Sequence, residues 1–406
     1  MPEVVITGLG SVAPNGLGKD NFWRALCEGR SGIRRITRFD PSGYPSQIAG
    51  EIPREWIKDT KLGTQNGRGW GTQLVIAAAH MALQDAGISH EEFASSRSGI
   101  WVGISTSDIG VVETEYEYFK ENGFAKPTNV YSSFPHAAAS ELASELKCPG
   151  NVVTVATGCP SGILSIIYAV ESIISGETEL ALAGGGDAPL SPLAYASFCS
   201  AGLIPSTYND DPQTASRPFD ARRDGGVLSE GSGMLVLENA ERAFLRGAEI
   251  YAGISGWGIS NAASPKQLKS SIVSSLSQAL RKSGLNLTEV DYISAHAPGD
   301  KFIDKMEVKA IKEVFGDYAY NLPVSSIKSM IGNPLAASGP LQVVAAALTI
   351  QNKFIPPTIN YRHPDPQCDL DCVPNKGRVA RVETALVNMH GIGGSNAALV
   401  VEKYER

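Results

Sequence analysis

Long apolar runs, clustered basic residues and closely paired cysteines are scarce in this 406-residue chain, and each scarcity removes a class of function. No stretch reaches the roughly 18 to 20 uninterrupted apolar residues that span a bilayer. The opening MPEVVITGLG has no basic segment ahead of a signal-type apolar core. A cytoplasmic protein without a membrane span is the expectation. Lys and Arg number 35 against 42 Asp and Glu, a net charge of -7. That balance argues against nucleic acid as the ligand, because neutralising phosphates needs clustered cations. The six cysteines, Cys27, Cys148, Cys159, Cys199, Cys368 and Cys372, are too thinly spread for a disulfide framework. Cys368 and Cys372 lie close together in QCDLDCVPN, but with no second ligand pair nearby they read as structural rather than as a zinc or redox pair. The histidines show no HxxxH or HxH spacing, so no metal site is expected.

What the chain does hold is core material: 43% of residues are hydrophobic and 19% charged, enough for one large domain or two packed halves. Short β-branched runs bounded by glycine alternate with longer helical stretches, the pattern of an α/β protein. Strands are predicted at 3–10, 99–105, 152–157, 180–186, 233–238, 292–297 and 384–391, and helices at 72–87, 161–176, 272–284 and 340–352. A change after LVLENAERAFLRGAEI suggests halves of 1–245 and 246–406. The glycine-rich strand ends lack the GxGxxG and GxxxxGK[ST] orders, so a nucleotide site is not expected.

Four segments carry chemistry. In VVTVATGCPSGILSIIYAVESII a strand runs into Gly158 and Cys159 before a helix opened by Pro160 and Ser161. A thiol there is expected to feel the helix dipole and free N–H groups, which lower its pKa toward neutrality. The bland reading of a lone cysteine at a helix start is a small buried residue. His296 ends the strand of YISAHAPGD and enters an irregular turn, a place where catalytic side chains gather. Lys328 and Asn333 flank a turn in SSIKSMIGNPLAASG. In ALVNMHGIGGSNAALVV a glycine turn joins two strands and can aim backbone N–H groups at one point, forming an oxyanion hole with the amide of Cys159.

In order along the whole chain, these segments resemble the β-ketoacyl-acyl carrier protein synthases of the elongating type II group. The resemblance rests on VVITGLGSVAPNGLG, ATGCPSG, GGGDAPLSPLAYASF, SRPFDARRDGGVLSEGSGMLVLE, AHAPGDK, KSMIGN, PPTINY and GIGGSNAALV. It implies a thiolase-like fold of duplicated α/β halves in a layered α-β-α-β-α sandwich, paired as a homodimer. It implies β-ketoacyl synthase activity as an acyltransferase: an acyl chain moves from an acyl carrier protein to Cys159, then condenses with a decarboxylated malonyl unit. Substrates would arrive on phosphopantetheine, with no resident cofactor or metal. By this resemblance Cys159 is the nucleophile, His296 a neutral hydrogen-bond donor to the enolate, and Lys328 and Glu307 its supporting network. The amides of Cys159 and Ile392 would be the oxyanion hole.

The departures from the family pattern are specific. Asn333 stands where a second catalytic histidine is expected, and its amide can still donate. His390 replaces a phenylalanine; it either enters the cavity in place of the lost imidazole or is hydrogen-bonded beneath the turn. Pro298 and Asp300 occupy the positions of threonines that hold the pantetheine arm, so they are the candidate substrate contacts. Ile392 replaces a gate phenylalanine, and Thr106 is the pocket position expected to face it. The basic carrier-docking helix is thinned to Arg68 with Lys58 and Lys61 upstream. Two alternatives stay open: a non-condensing decarboxylase, acyltransferase or hydrolase of the same fold, and a silent partner subunit of a ketosynthase heterodimer. Cys159 weighs against the second.

Overall fold

A computed structural model describes residues 3–60, 68–106 and 108–405. The N-terminal half contributes β1 (Val4–Ala13), β2 (Ser98–Gly103), β3 (Val152–Val155), β4 (Leu180–Asp187) and β5 (Gly231–Asn239). The C-terminal half contributes β6 (Ala252–Asn261), β7 (Tyr292–Ser294), β8 (Val324–Ser325), β9 (Thr384–His390) and β10 (Ser395–Glu402). Across the sheet they run β8-β7-β9-β10-β6-β1-β5-β4-β2-β3. Each half repeats one order, first-fifth-fourth-second-third, outward from the β1–β6 seam. There Val4, Val5 and Ile6 pair antiparallel with Ile254, Gly253 and Ala252.

The helices that matter here are α1 (Trp70–Ala86), α2 (Ile109–Asn122), α3 (Ala137–Leu146), α4 (Ser161–Ile174), α5 (Leu268–Ser283), α6 (Lys301–Phe315), α7 (Lys328–Ile331) and α8 (Ser338–Asn352). Side chains of a strand point alternately to its two faces, and the core divides accordingly. Leu180, Leu182, Met234 and Val236 pack with Leu74 and Val75 of α1 and Leu142 of α3. Their neighbours Ala181, Ala183, Leu235 and Leu237 face the other way, into a cluster with Ile163 and Ile166 of α4 and Val343 and Ala346 of α8. The C-terminal half does the same: Val387 and Leu399 join that central cluster, whereas Leu386, Ala398 and Val400 pack with Ile272 of α5 and Ile311 of α6. The result is five layers, helix-sheet-helix-sheet-helix, with α4 and α8 buried at the centre.

All seven anticipated strands and four anticipated helices are present within a few residues of their expected bounds. Strands β6 and β8 and helices α2, α3, α6 and α7 lie outside those expectations. Cys368 and Cys372 are unpaired and buried in the outer C-terminal core. No helix among the described residues is long and apolar enough to cross a membrane.

Strand β6 reads AGISGWGISN, and its glycines explain both the weak strand signal and the packing. A Cβ on Gly258 would lie 2.0 Å from the Ser275 carbonyl, and one on Gly256 2.2 Å from that of Ala279, both in α5. Gly258→Ala should therefore destabilise the protein by about 1–3 kcal/mol, read as a lower denaturant midpoint. An unchanged midpoint would show that α5 can retreat freely.

Candidate active site

From Val155 at the end of β3 the chain turns through Thr157, Gly158 and Cys159 into α4. Gly158 has φ 78°, a left-handed conformation that favours glycine and sharpens the turn. The Ser161 hydroxyl locks it, donating to the Gly158 carbonyl at 2.6 Å and accepting from the Thr157 N–H at 2.8 Å. Cys159 is buried, 4% exposed. The turn between β9 and β10, with Gly393 and Gly394 also left-handed, lays the Ile392 N–H against the Cys159 thiol. The two amides expected to form the oxyanion hole thus meet at the sulfur.

The thiol itself departs from expectation. Burial pushes its pKa up to about 11, with Asp187 adding to the rise, against the pull of the Ile392 N–H and of Lys328. Cys159 precedes the first helical residue by two positions and has lost its water, so desolvation outweighs the helix end. At neutral pH the resting nucleophile is a thiol that needs a base.

His296 follows β7 and is 2% exposed. Burial first, then the neighbouring Lys328 and His390, hold its pKa well below the ordinary 6.5, so it is neutral. Its backbone N–H and that of Ala297 donate to Glu307 at 2.8 and 2.7 Å. Its Nδ1 lies 3.4 Å from the Met389 Sδ. A thioether only accepts, so Nδ1 carries the proton and Nε2 is left as the basic nitrogen. In this tautomer Nε2 is an acceptor in the resting site.

Lys328 opens α7 and is completely buried, its Nζ donating to Gln342 Oε1 at 3.0 Å, with Met389 Sδ at 3.9 Å. Burial lowers its pKa to about 8, against the opposing pull of Glu307, Cys159 and Asp304. Glu307 projects from α6; burial opposes its charge, but the His390 ring 3.6 Å away and the amides of Ala297 and His296 hold its pKa below the usual value. Asn388 donates to Glu307 at 2.8 Å and its Nδ2 is 3.0 Å from His390 Nε2. His390 Nδ1 donates to Asn396 Oδ1 at 2.9 Å, so both ring nitrogens are engaged. His390 therefore lines the cavity and stacks edge-on against His296, centroids 5.2 Å apart, without offering a free donor.

Asn333 is pinned through its backbone, which donates to the Val227 carbonyl at 2.7 Å. Ser338 donates to Asn333 Oδ1 at 3.0 Å, which fixes the amide orientation and leaves Nδ2 as the donor end at the cavity. Cys159, His296, Asn333, His390, Pro298, Asp300 and Ile392 line one cavity of about 40 Å³, room for a few waters in the resting site. Asp300 also caps α6, accepting from Phe302 and Ile303 at 2.8 Å. Ile392 is 58% exposed, so the gate position stands at the cavity edge.

Two expected contacts are corrected. Thr106 is not among the residues lining this cavity; its N–H and hydroxyl donate to Asp187 at 2.8 and 3.0 Å, because that buried carboxylate at the end of β4 needs donors. Arg68, expected to greet a carrier, has a side chain only 7% exposed and bound to Glu141 and Glu145 of α3. Its charge is spent inside the molecule, and Lys61 lies outside the described residues. Met389, Gln342, Asn388, Asn396 and Asp187 are site residues that the sequence reading did not single out.

Because Lys328 pulls the thiol pKa down, Lys328→Met should slow iodoacetamide alkylation of Cys159 at pH 7.5 by roughly tenfold, one pKa unit's worth. In the unmodified protein the alkylation rate should climb through pH 7 to 9. A plateau below pH 8 would mean a near-neutral thiol and overturn this account.

Residues 1–243 match the model of the β-ketoacyl synthase N-terminal domain and residues 251–362 that of the β-ketoacyl synthase C-terminal domain. A putative polyketide β-ketoacyl synthase 1 of Streptomyces halstedii is 38% identical over 100% of this chain and 99% of its own. The 3-oxoacyl-[acyl-carrier-protein] synthase 2 of Coxiella burnetii is 36% identical over 99% and 98%. Among solved structures, the ishigamide ketosynthase/chain length factor superposes with a TM-score of 0.92 at 34% identity, covering 100% of both chains. A type II PKS ketosynthase in complex with its acyl-carrier protein gives 0.91 at 32%, covering 99% of this chain and 100% of that one. With the nucleophile turn, the histidine strand end and the glycine turn gathered on one cavity in a duplicated five-layer fold, the chain belongs to the β-ketoacyl synthase family.

Proposed function

We propose that the chain is a condensing β-ketoacyl synthase that works on acyl and malonyl groups carried as phosphopantetheine thioesters of an acyl carrier protein. The observation that carries this reading is the convergence of the Cys159 thiol, the Ile392 amide, His296 and Asn333 on one cavity. No resident cofactor takes part in the steps below.

In the first half-reaction the Cys159 proton passes to His296 Nε2 while sulfur attacks the acyl thioester carbon. The tetrahedral oxyanion is held by the amides of Cys159 and Ile392. The carrier thiolate then leaves and takes the proton back from His296. In the second, the malonyl carboxylate departs as carbon dioxide, leaving its electron pair in a thioester enolate. Asn333 Nδ2 donates to the enolate oxygen. The enolate carbon attacks acyl-Cys159, the carbon–sulfur bond breaks, and the Cys159 thiolate recovers a proton from solvent.

This division of labour assigns proton acceptance to His296 and enolate stabilisation to Asn333. It rests on the Met389 contact to His296 and the Ser338 contact to Asn333. Lys328 and Glu307 act on the charge and position of these groups, and His390 braces the wall between them. We assign the nucleophile to the half 1–245 and the histidine to the half 246–406. The open edge of β3 offers the main-chain groups on which a second subunit would pair.

Incubation with an acyl carrier protein should add the acyl mass to the wild type and none to Cys159→Ala. Asn333→Leu should still be acylated, yet condense with malonyl carrier about 100-fold more slowly, the usual loss for one enolate donor. Chain shortening, hydrolysis or carbon dioxide release without elongation in the wild type would overturn condensation. Met389→Leu keeps the volume but removes the acceptor for Nδ1, and should slow acylation by about tenfold, one hydrogen bond's worth. An unchanged rate would mean that His296 does not depend on the thioether.

A further inference from the structure

We infer that the solvent face of α6 is the docking surface for an acidic carrier protein, through a row formed by Lys301, Lys305 and Lys309. This rests on the carrier-dependent reading above and names the surface that reading requires.

Arg68 is withdrawn into ion pairs with Glu141 and Glu145, so its guanidinium is not offered to a carrier. Helix α6 offers more. Its lysines at 301, 305 and 309 recur every four residues and so share one face. Lys301 and Lys309 are exposed, Lys305 half-buried, and none of the three forms an ion pair among the described residues. Asp365 feels the charge of Lys305, but that carboxylate is bound to Arg223 at 2.8 Å. The two carboxylates in the first half of the helix, Asp304 and Glu307, are buried and turned to the site. The outer face is therefore cationic on a chain whose net charge is -7.

Helix stability does not explain this arrangement. Lys301 is the first residue of α6, at the end where the peptide dipoles disfavour a cation. Position supplies the reason: Pro298, Asp300 and Ile303 line the Cys159 cavity, so the lysine row begins at the cavity mouth. Phe302, 45% exposed beside Lys301, adds an apolar contact to the charged row. A prosthetic arm entering at Asp300 would leave the body of its carrier over α6. An acidic protein surface is the complement, and charges at such a rim act mainly on association rate and salt dependence.

The test compares Lys301→Glu/Lys305→Glu/Lys309→Glu and the corresponding triple alanine variant with the wild type, using a phosphopantetheine-bearing acidic acyl carrier protein. Direct titration should show carrier binding weakened roughly tenfold or more by glutamate and less by alanine, with a flatter salt dependence in both. Acylation of Cys159 by a small acyl-N-acetylcysteamine thioester should stay within about twofold, since no carrier docks in that reaction. Unchanged carrier binding overturns the proposal. Equal loss with carrier and small thioester in the alanine variant also overturns it, because the row would then serve the fold. Failure of the wild type to be acylated by either donor would sink the covalent mechanism, while the binding titration still judges the surface by itself.

Discussion

A carboxylate cut off from water is tolerable only when donors surround it, and Glu307 meets that condition by tying its own helix to two other segments. It accepts from the backbone after β7 at His296 and Ala297 and from Asn388 on β9, while itself belonging to α6. Through Asn388 it reaches His390, and through the buried electrostatics it reaches Lys328. The strand end, the histidine and the helix are thereby held in one relative position. Remove the carboxylate and the Asn388 amide and two main-chain N–H groups lose their acceptor together, at a cost of about 1–3 kcal/mol for each buried group. Catalytic geometry and local folding are the same set of bonds here.

That arrangement joins groups with opposed demands. A buried lysine, a buried glutamate, a neutral histidine and a high-pKa thiol lie within one electrostatic neighbourhood. Neutral Gln342 meets Lys328 directly, so the lysine is hydrogen-bonded without being neutralised on the spot. The positive charge is left to act on Cys159. Asp187 works against it, its own pKa pushed up to about 6 by burial. The nucleophile feels a cation that favours its ionised form and a carboxylate that opposes it.

The elements legible in the sequence were those whose pattern reports burial directly. Continuous β-branched runs such as VVTVAT, and helices such as α4 and α8, carry their core assignment in composition. Strand β6 hid because glycines that admit α5 dilute its pattern. Helix α6 hid because Asp304 and Glu307 interrupt its apolar period with charges that are nonetheless buried. The site divided along similar lines. Cys159 and His296 stand at junctions between element types, which local pattern reveals. Met389 and Gln342 look like ordinary core residues in sequence, and their meaning lies in which nitrogen they face. The thiol pKa is not legible for a related reason: a helix start is a sequence feature, whereas desolvation belongs to the assembled fold.

The centre of the molecule is also crowded with main chain. A Cβ on Gly103 would lie 2.3 Å from the Gly162 nitrogen, and one on Gly162 2.1 Å from the Ala336 carbonyl. Backbone therefore rests on backbone where α4 begins, three residues beyond the nucleophile. Neither glycine has a side chain to trim or room to gain one, so the seating of α4 is a fixed dimension of the scaffold. Variation in what such an enzyme accepts must come from the walls, from Phe198, Leu203, Ile204 and Ile392. Diversification of this scaffold is thus confined to its rim, and the reactive atom is the fixed point around which rims of different shape can be built.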